Sequence, residues 1–93
     1  MSAAPRVVML TGAAGNLGRA VAQAFAAQGD SLVLIDLDHK VLSRAYGDET
    51  EQRRFAPADL RAQTEIDAAV KTALTRFGRI DVLCNLAGGF RMG

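Results

Sequence analysis

Thr11-Gly-Ala-Ala-Gly-Asn-Leu-Gly18 follows directly on the apolar run Val7-Val-Met-Leu10 and leads into an alanine-rich stretch with helical spacing. A strand, a glycine turn and a helix start in that order make an anion site. Glycines let the backbone turn tightly and approach a ligand, while the free N–H groups and dipole of the helix start favour negative charge. The chemistry this predicts is binding of a dinucleotide pyrophosphate, with Gly12, Gly15, Asn16, Leu17 and Gly18 as candidate contacts. Asp36 makes the reading specific. It ends a second apolar run, Ser31-Leu-Val-Leu-Ile35, at the spacing of a carboxylate that accepts hydrogen bonds from the adenosine ribose hydroxyls. A glycine turn alone would be weak evidence, but the two parts fall in one strand–helix–strand unit.

Asp36 also bears on which dinucleotide is bound. A carboxylate repels a 2′-phosphate and accepts from a free 2′-hydroxyl, and no arginine or lysine adjoins Asp36 or sits in the glycine turn. The expected cofactor is therefore NAD. Lys40 is the nearest base, and it is expected to point to solvent from the following helix.

The elements that must position these residues are legible in the hydrophobic pattern. Strand one is expected over residues 6–11 and a first helix over 16–28, with Leu17, Ala20, Val21, Ala24 and Phe25 on one face and Gly29 as its stop. Asp38 is placed to cap a short helix bearing Val41, Leu42 and Ala45, which ends near Gly47. The polar stretch 47–52 reads as a loop. A third strand over 54–58 contains Pro57, which cannot donate to a ladder and so assigns this strand to a sheet edge. Ile66, Ala69, Val70, Ala73, Leu74 and Phe77 form the apolar stripe of a third helix, with Thr64 and Asp67 as a capping box and Gly78 as its end. Residues 80–86 are nearly continuous in apolar side chains after Asp81, the pattern of a strand covered on both faces. The order βαβαβαβ predicts an α/β fold: a partial, Rossmann-like, doubly wound parallel sheet with strand order 3-2-1-4 and a ligand crevice where strands one and four diverge.

Composition narrows the function classes. The chain has 93 residues and a net charge of +1, with its basic residues scattered, so no nucleic-acid partner is expected. No segment reaches membrane-spanning length, and Met1-Ser-Ala-Ala-Pro5 with the brief run after it does not make a secretory signal. With the single Cys84 no internal disulfide forms, and a cytoplasmic location is expected. Cys84 reads as a small apolar strand residue and His39 as a solvated helix residue without partners at metal spacing, so no metal is expected. Arg91 receives no role.

Taken together, the chain resembles the short-chain dehydrogenase/reductase family, oxidoreductases built on a single dinucleotide-binding domain, over almost its whole length. Thr11-Gly-Ala-Ala-Gly-Asn-Leu-Gly18 is similar to the family's glycine-rich turn, Asp36 to its ribose-binding acid and Asp59-Leu60 to its adenine contact. Asn85-Leu-Ala-Gly88 resembles its Asn-Asn-Ala-Gly motif after strand four, with Asn85 bonding neighbouring backbone and Ala87 and Gly88 keeping the wall beside the ribose small. Two positions depart from the family pattern. Asn16 stands where a middle glycine is usual, and the spacing of Gly12, Gly15 and Gly18 also resembles that of the larger, epimerase-like branch. Asparagine tolerates a left-handed backbone well enough to keep such a turn. Leu86 replaces the second asparagine of the later motif.

In the family a serine and a Tyr-x-x-x-Lys motif, both C-terminal to the fourth strand, carry the reaction. No catalytic residue carries over to this sequence: Tyr46 is followed four positions on by Thr50 and lies in a different element. The resemblance implies hydride transfer between nicotinamide and an alcohol or carbonyl carbon of a small molecule, with a tyrosine as general acid/base, and a homo-oligomer at full length. The whole of 1–93 is then the N-terminal portion of an NAD-binding domain, and the sequence is expected to be part of a longer polypeptide, inactive alone. Strand four, with Val82, Leu83, Cys84 and Leu86, would be an unpaired apolar edge, so the isolated portion is expected to be poorly soluble. A non-catalytic dinucleotide-binding or sensor module is the alternative. A transferase using S-adenosylmethionine fits less well, since that cofactor has no pyrophosphate for the helix start.

Overall fold

The computed structural model describes residues 5–87, so Gly88 and Arg91 lie outside the described residues. Seven elements alternate along the chain: β1 (Val7–Thr11), α1 (Asn16–Ala27), β2 (Ser31–Ile35), α2 (His39–Tyr46), β3 (Arg53–Phe55), α3 (Gln63–Phe77) and β4 (Val82–Asn85). The strands form one parallel sheet in the order β3-β2-β1-β4, as the sequence predicts. Successive side chains of a strand point to opposite faces, which sorts the apolar residues into two clusters. Val7, Met9, Val33 and Ile35 meet Ala69 and Ala73 of α3 on one face. On the other, Val8, Leu10, Leu32 and Leu34 meet Ala22 of α1, Leu42 of α2 and Phe55. Every residue of β1 is buried because both of its faces are covered.

Several local expectations are corrected. The buried face of α1 is Gly18 and Ala22, flanked by half-buried Val21, Phe25 and Ala26, whereas Leu17, Ala20 and Ala24 are exposed. The helix starts so close to β1 that only its smallest residues fit the seam. Asn16 needs no left-handed backbone, since no non-glycine residue among those described has a positive φ. Helix α3 begins after Ala62 with no side-chain cap, so Thr64 and Asp67 form no capping box. In its place Glu65 accepts from the Asp59 N–H at 2.8 Å, and Gln63 Nε2 donates to Asp67. Gly78 does end this helix in a left-handed conformation.

Strand β3 is shorter than predicted and Pro57 lies beyond it. The chain nevertheless continues alongside β2, with the N–H groups of Ala56 and Ala58 donating to the carbonyls of Leu34 and Asp36 at 2.9 Å each. Pro57 sits between them and faces solvent, where its missing N–H leaves nothing unpaired. Strand β4 is not covered on both faces as expected. Val82 and Cys84 are half buried, whereas Leu83, paired with Met9 in register, is 63% exposed. The reason is that α3 packs over β1 and β2. Among the described residues no helix is long and apolar enough to cross a membrane.

Side-chain bonds tie the strand ends in place. Asp81 accepts from the Val7 N–H at 2.8 Å and is paired with Arg79, which joins the starts of β4 and β1; Arg79, then the Val7 N–H, hold its carboxyl below the usual range. Arg6 donates to buried Asp30 at 2.9 Å. Tyr46, at the end of α2, reaches back to the glycine turn and donates to the Ala13 carbonyl at 2.6 Å. Burial pushes this hydroxyl up to about 12, against the opposing pull of Arg19 and Arg53. It therefore remains a donor throughout the neutral range. Replacing Tyr46 by Phe should lower stability by about 1 kcal/mol, the net worth of one such bond, in urea denaturation at neutral pH. The folded state holds this proton more tightly than the unfolded chain, so the bond's contribution is complete below about pH 10 and is lost as pH rises towards 12. The gap between wild type and Tyr46→Phe should narrow over that window.

Candidate active site

The site is built at the carboxyl ends of the strands. Gly12 leaves β1 with a φ of 69°, and a Cβ there would lie 3.0 Å from the Ala87 backbone nitrogen, so both its conformation and its neighbour demand glycine. Gly15 precedes the first helical residue, and its N–H donates to the Gly12 carbonyl at 3.3 Å. The N–H groups of Asn16, Leu17 and Gly18 belong to the first turn, which has no intrahelical partners for them. Gly18 is the tightest point. A Cβ on it would lie 2.2 Å from the Gly12 carbonyl oxygen, whereas one on Gly15 would lie at an ordinary 3.6 Å.

Asp36 follows β2 and faces this turn. Its Oδ2 accepts from the Ala14 N–H and its Oδ1 from the Leu37 N–H, both at 2.9 Å. Each oxygen of a carboxylate has two acceptor positions, so among the described residues one on each remains for further donors. Across the turn, Thr11 Oγ1 donates to Asn85 Oδ1 at 2.6 Å and accepts from the Ala87 N–H at 3.3 Å. That clasp joins the ends of β1 and β4 and sets the wall at Ala87.

Five of the predicted residues, Gly12, Asp36, Asp59, Leu60 and Ala87, line one open cleft of about 470 Å³, a size suited to a nucleoside-scale ligand. The bond from the Ala58 N–H to the Asp36 carbonyl is what brings Asp59 and Leu60 alongside Asp36. Gly15, Asn16, Leu17 and Gly18 form the helix start beside the cleft, and Asn85 stands behind its wall, held by Thr11. Sequence reading missed Leu37, Ala58 and Arg61, which line the same cleft, and the clasp residue Thr11. Arg61 lies 25 positions from Asp36, and only the pairing of β2 with the chain after β3 reveals their nearness. Asp59 does not stand free: Arg61 binds it through both Nε and a terminal nitrogen, at 3.1 and 3.0 Å, and its own N–H adds a third bond. These bonds, the side-chain ones first, hold the Asp59 carboxyl below its usual range.

A larger groove of about 550 Å³ lies between α1 and α2, lined in part by Arg19, Gln23, Tyr46 and Arg53. It is the less suitable site. The candidate residue Asn16 and buried Ala22 and Leu32 also line it, but most of its lining runs along the two helices, whereas ligands of open parallel sheets bind outside the carboxyl ends of the strands.

Residues 6–93 match the family model described as short chain dehydrogenase. A 3-hydroxyacyl-CoA dehydrogenase type-2 from Drosophila melanogaster is 37% identical over 82 residues, covering 88% of this chain and 32% of the relative. A D-threitol dehydrogenase from Mycolicibacterium smegmatis is 34% identical over 91 residues, covering 94% and 35%. Among solved structures, a 3-ketoacyl-(acyl-carrier-protein) reductase from Brucella melitensis complexed with NADH superposes with a TM-score of 0.77 at 33% identity, covering 84% of this chain and 32% of that one. The chain thus spans about a third of the length of these relatives.

The two glycines of the helix start should respond differently to a single methyl group. Gly18→Ala must force the helix away from Gly12 and should destabilise by about 3 kcal/mol, the upper range for overpacking. Gly15→Ala should stay within about 0.5 kcal/mol of wild type. Thermal unfolding of the two variants side by side checks this.

Proposed function

The chain belongs to the short chain dehydrogenase family, and on that premise we propose that residues 1–93 are the cofactor-binding portion of an NAD(H)-dependent oxidoreductase that interconverts an alcohol and a carbonyl by hydride transfer. The observation that carries the cofactor reading is Asp36. Its carboxylate is anchored by the Ala14 and Leu37 N–H groups and retains one acceptor position on each oxygen, a match for the two hydroxyls of a free adenosine ribose. The seam at Gly18 supports the same reading from the other side. Glycine there lets the helix start come down onto the turn, so that the N–H groups of Asn16, Leu17 and Gly18 and the helix dipole favour a pyrophosphate.

When bound, the nicotinamide would supply or accept the hydride. The residues of this chain act on binding: the helix start neutralises the pyrophosphate, Asp36 orients the ribose, and the Thr11–Asn85 clasp keeps the wall at Ala87 in place. Asp36 would set its negative charge against a 2′-phosphate. Among the described residues, the one cation lining the cleft, Arg61, has its charge taken up by Asp59, which favours NAD over NADP. Tyr46 is engaged with the Ala13 carbonyl, so it is not offered as the acid/base of the reaction. The relatives' names span acyl thioesters and a sugar alcohol, so the substrate is proposed only as a small-molecule alcohol or carbonyl compound.

Calorimetric titration tests the proposal. NAD should bind more tightly than NADP, and Asp36→Ala should weaken NAD by about tenfold to a hundredfold, as loss of a bond to a charged acceptor worth about 1.5–3 kcal/mol requires. Undiminished NAD affinity in that variant contradicts the assignment of Asp36.

A further inference from the structure

The groove of about 550 Å³ between α1 and α2 is lined by two arginines and, among the described residues, by no carboxylate. Apart from Asn16 it shares no residue with the dinucleotide site. The ion pairs among the described residues take up Arg6, Arg54, Arg61 and Arg79, but neither Arg19 nor Arg53. Both of these act on the Tyr46 hydroxyl, which lines the groove with them. Asp36, the carboxylate that opposes them at Tyr46, lines the other cleft and is held there by the Ala14 and Leu37 N–H groups. The groove is therefore a concave surface whose positive charge is uncompensated.

Arg53 is positioned before any ligand arrives. Its half-buried side chain donates through Nε to the Asp48 carbonyl at 3.3 Å and through Nη2 to the carbonyls of Tyr46 and Asp48, at 2.9 and 2.8 Å. The guanidinium carbon lies 5.8 Å from the centre of the Tyr46 ring. Three of the five donors of a guanidinium are thus used on backbone, and the two of Nη1 remain. Arg19 is exposed and uses one donor, on Asn16 Oδ1 at 3.4 Å. Buried Ala22 and Leu32 add apolar surface to the same lining.

We propose that this groove is a second ligand site, for a phosphate monoester that carries an apolar ring. Such a phosphate bears a charge of about −1.5 to −2 at neutral pH and presents three acceptor oxygens, a match for two guanidinium groups with donors to spare. A ring against Ala22 and Leu32 adds burial of apolar surface, which inorganic phosphate cannot supply. Because Arg53 is already held by backbone carbonyls, binding costs little of its side-chain entropy.

The test titrates the full chain, at constant ionic strength, with 2-naphthyl phosphate, inorganic phosphate and 2-naphthol while backbone amide resonances are followed. The ester should bind about tenfold more tightly than either fragment, with its largest shifts at Gln23, Ala26, Ala45 and Arg53. Arg19→Gln, an exposed change, should weaken the ester by about tenfold and leave 2-naphthol unaffected. Arg53→Lys keeps the charge but loses the fork, and it should also weaken the ester by about tenfold. Inorganic phosphate bound as tightly as the ester, ester shifts confined to Gly12, Leu17 and Gly18, or undiminished ester affinity in Arg19→Gln overturns the inference and leaves the dinucleotide reading standing. A folded wild type that does not bind the ester overturns it too, and titration with NAD then reports on the dinucleotide reading separately.

Discussion

Helix α1 begins so near the end of β1 that a methyl group at position 18 would lie 2.2 Å from the Gly12 carbonyl oxygen. Much else follows from that approach. It sets the rotation of α1, so that its buried seam is Gly18 and Ala22 and its larger side chain Leu17 is turned out. It also places the unpaired N–H groups of the first helical turn over the carboxyl ends of the strands, where a parallel sheet opens its crevice. One missing side chain thus joins packing to electrostatics.

The glycine turn is held from three directions. Tyr46 donates to Ala13 from the helix side, Asp36 accepts from Ala14 across β2, and Thr11 at the turn's base is clasped by Asn85 of β4. Each of these groups makes a bond to backbone or to a neighbouring strand, and Asp36 keeps an acceptor position on each oxygen besides. Their joint effect is that the cleft walls are fixed by bonds already made within the protein. A ligand that enters then loses little to ordering its site.

Much of this was legible in the residues. The order of apolar runs and glycines determined the parallel sheet and its strand order, and β3 stands at the expected edge although Pro57 lies beyond the strand itself. What escaped the linear reading has a common physical cause. The helix face of α1 was misjudged because hydrophobic periodicity assumes that large side chains face inward, whereas a backbone contact at Gly18 selects small ones. The capping box at Thr64 failed because the helix starts two residues earlier than that box requires, with Ala62 at the cap position and Thr64 inside the first turn. Thr11, Tyr46 and Arg61 act through bonds to groups distant in sequence or to a carboxylate whose role is itself tertiary, and no spacing rule marks them. Of the candidate contacts that line the cleft, Gly12 and Asp36 follow from the glycine turn and the strand end, whereas Asp59, Leu60 and Ala87 were expected only from the family resemblance.

The central claim is that a dinucleotide lies across the helix start and the cleft beside Asp36. It is tested most directly by following backbone amide resonances of isotope-labelled protein during titration with NAD. The account predicts the largest shifts at Gly12, Asn16, Leu17 and Gly18, with a second group at Asp59 and Leu60. Shifts confined to Gln23, Ala26, Ala45 and Arg53, in the groove between α1 and α2, would contradict it.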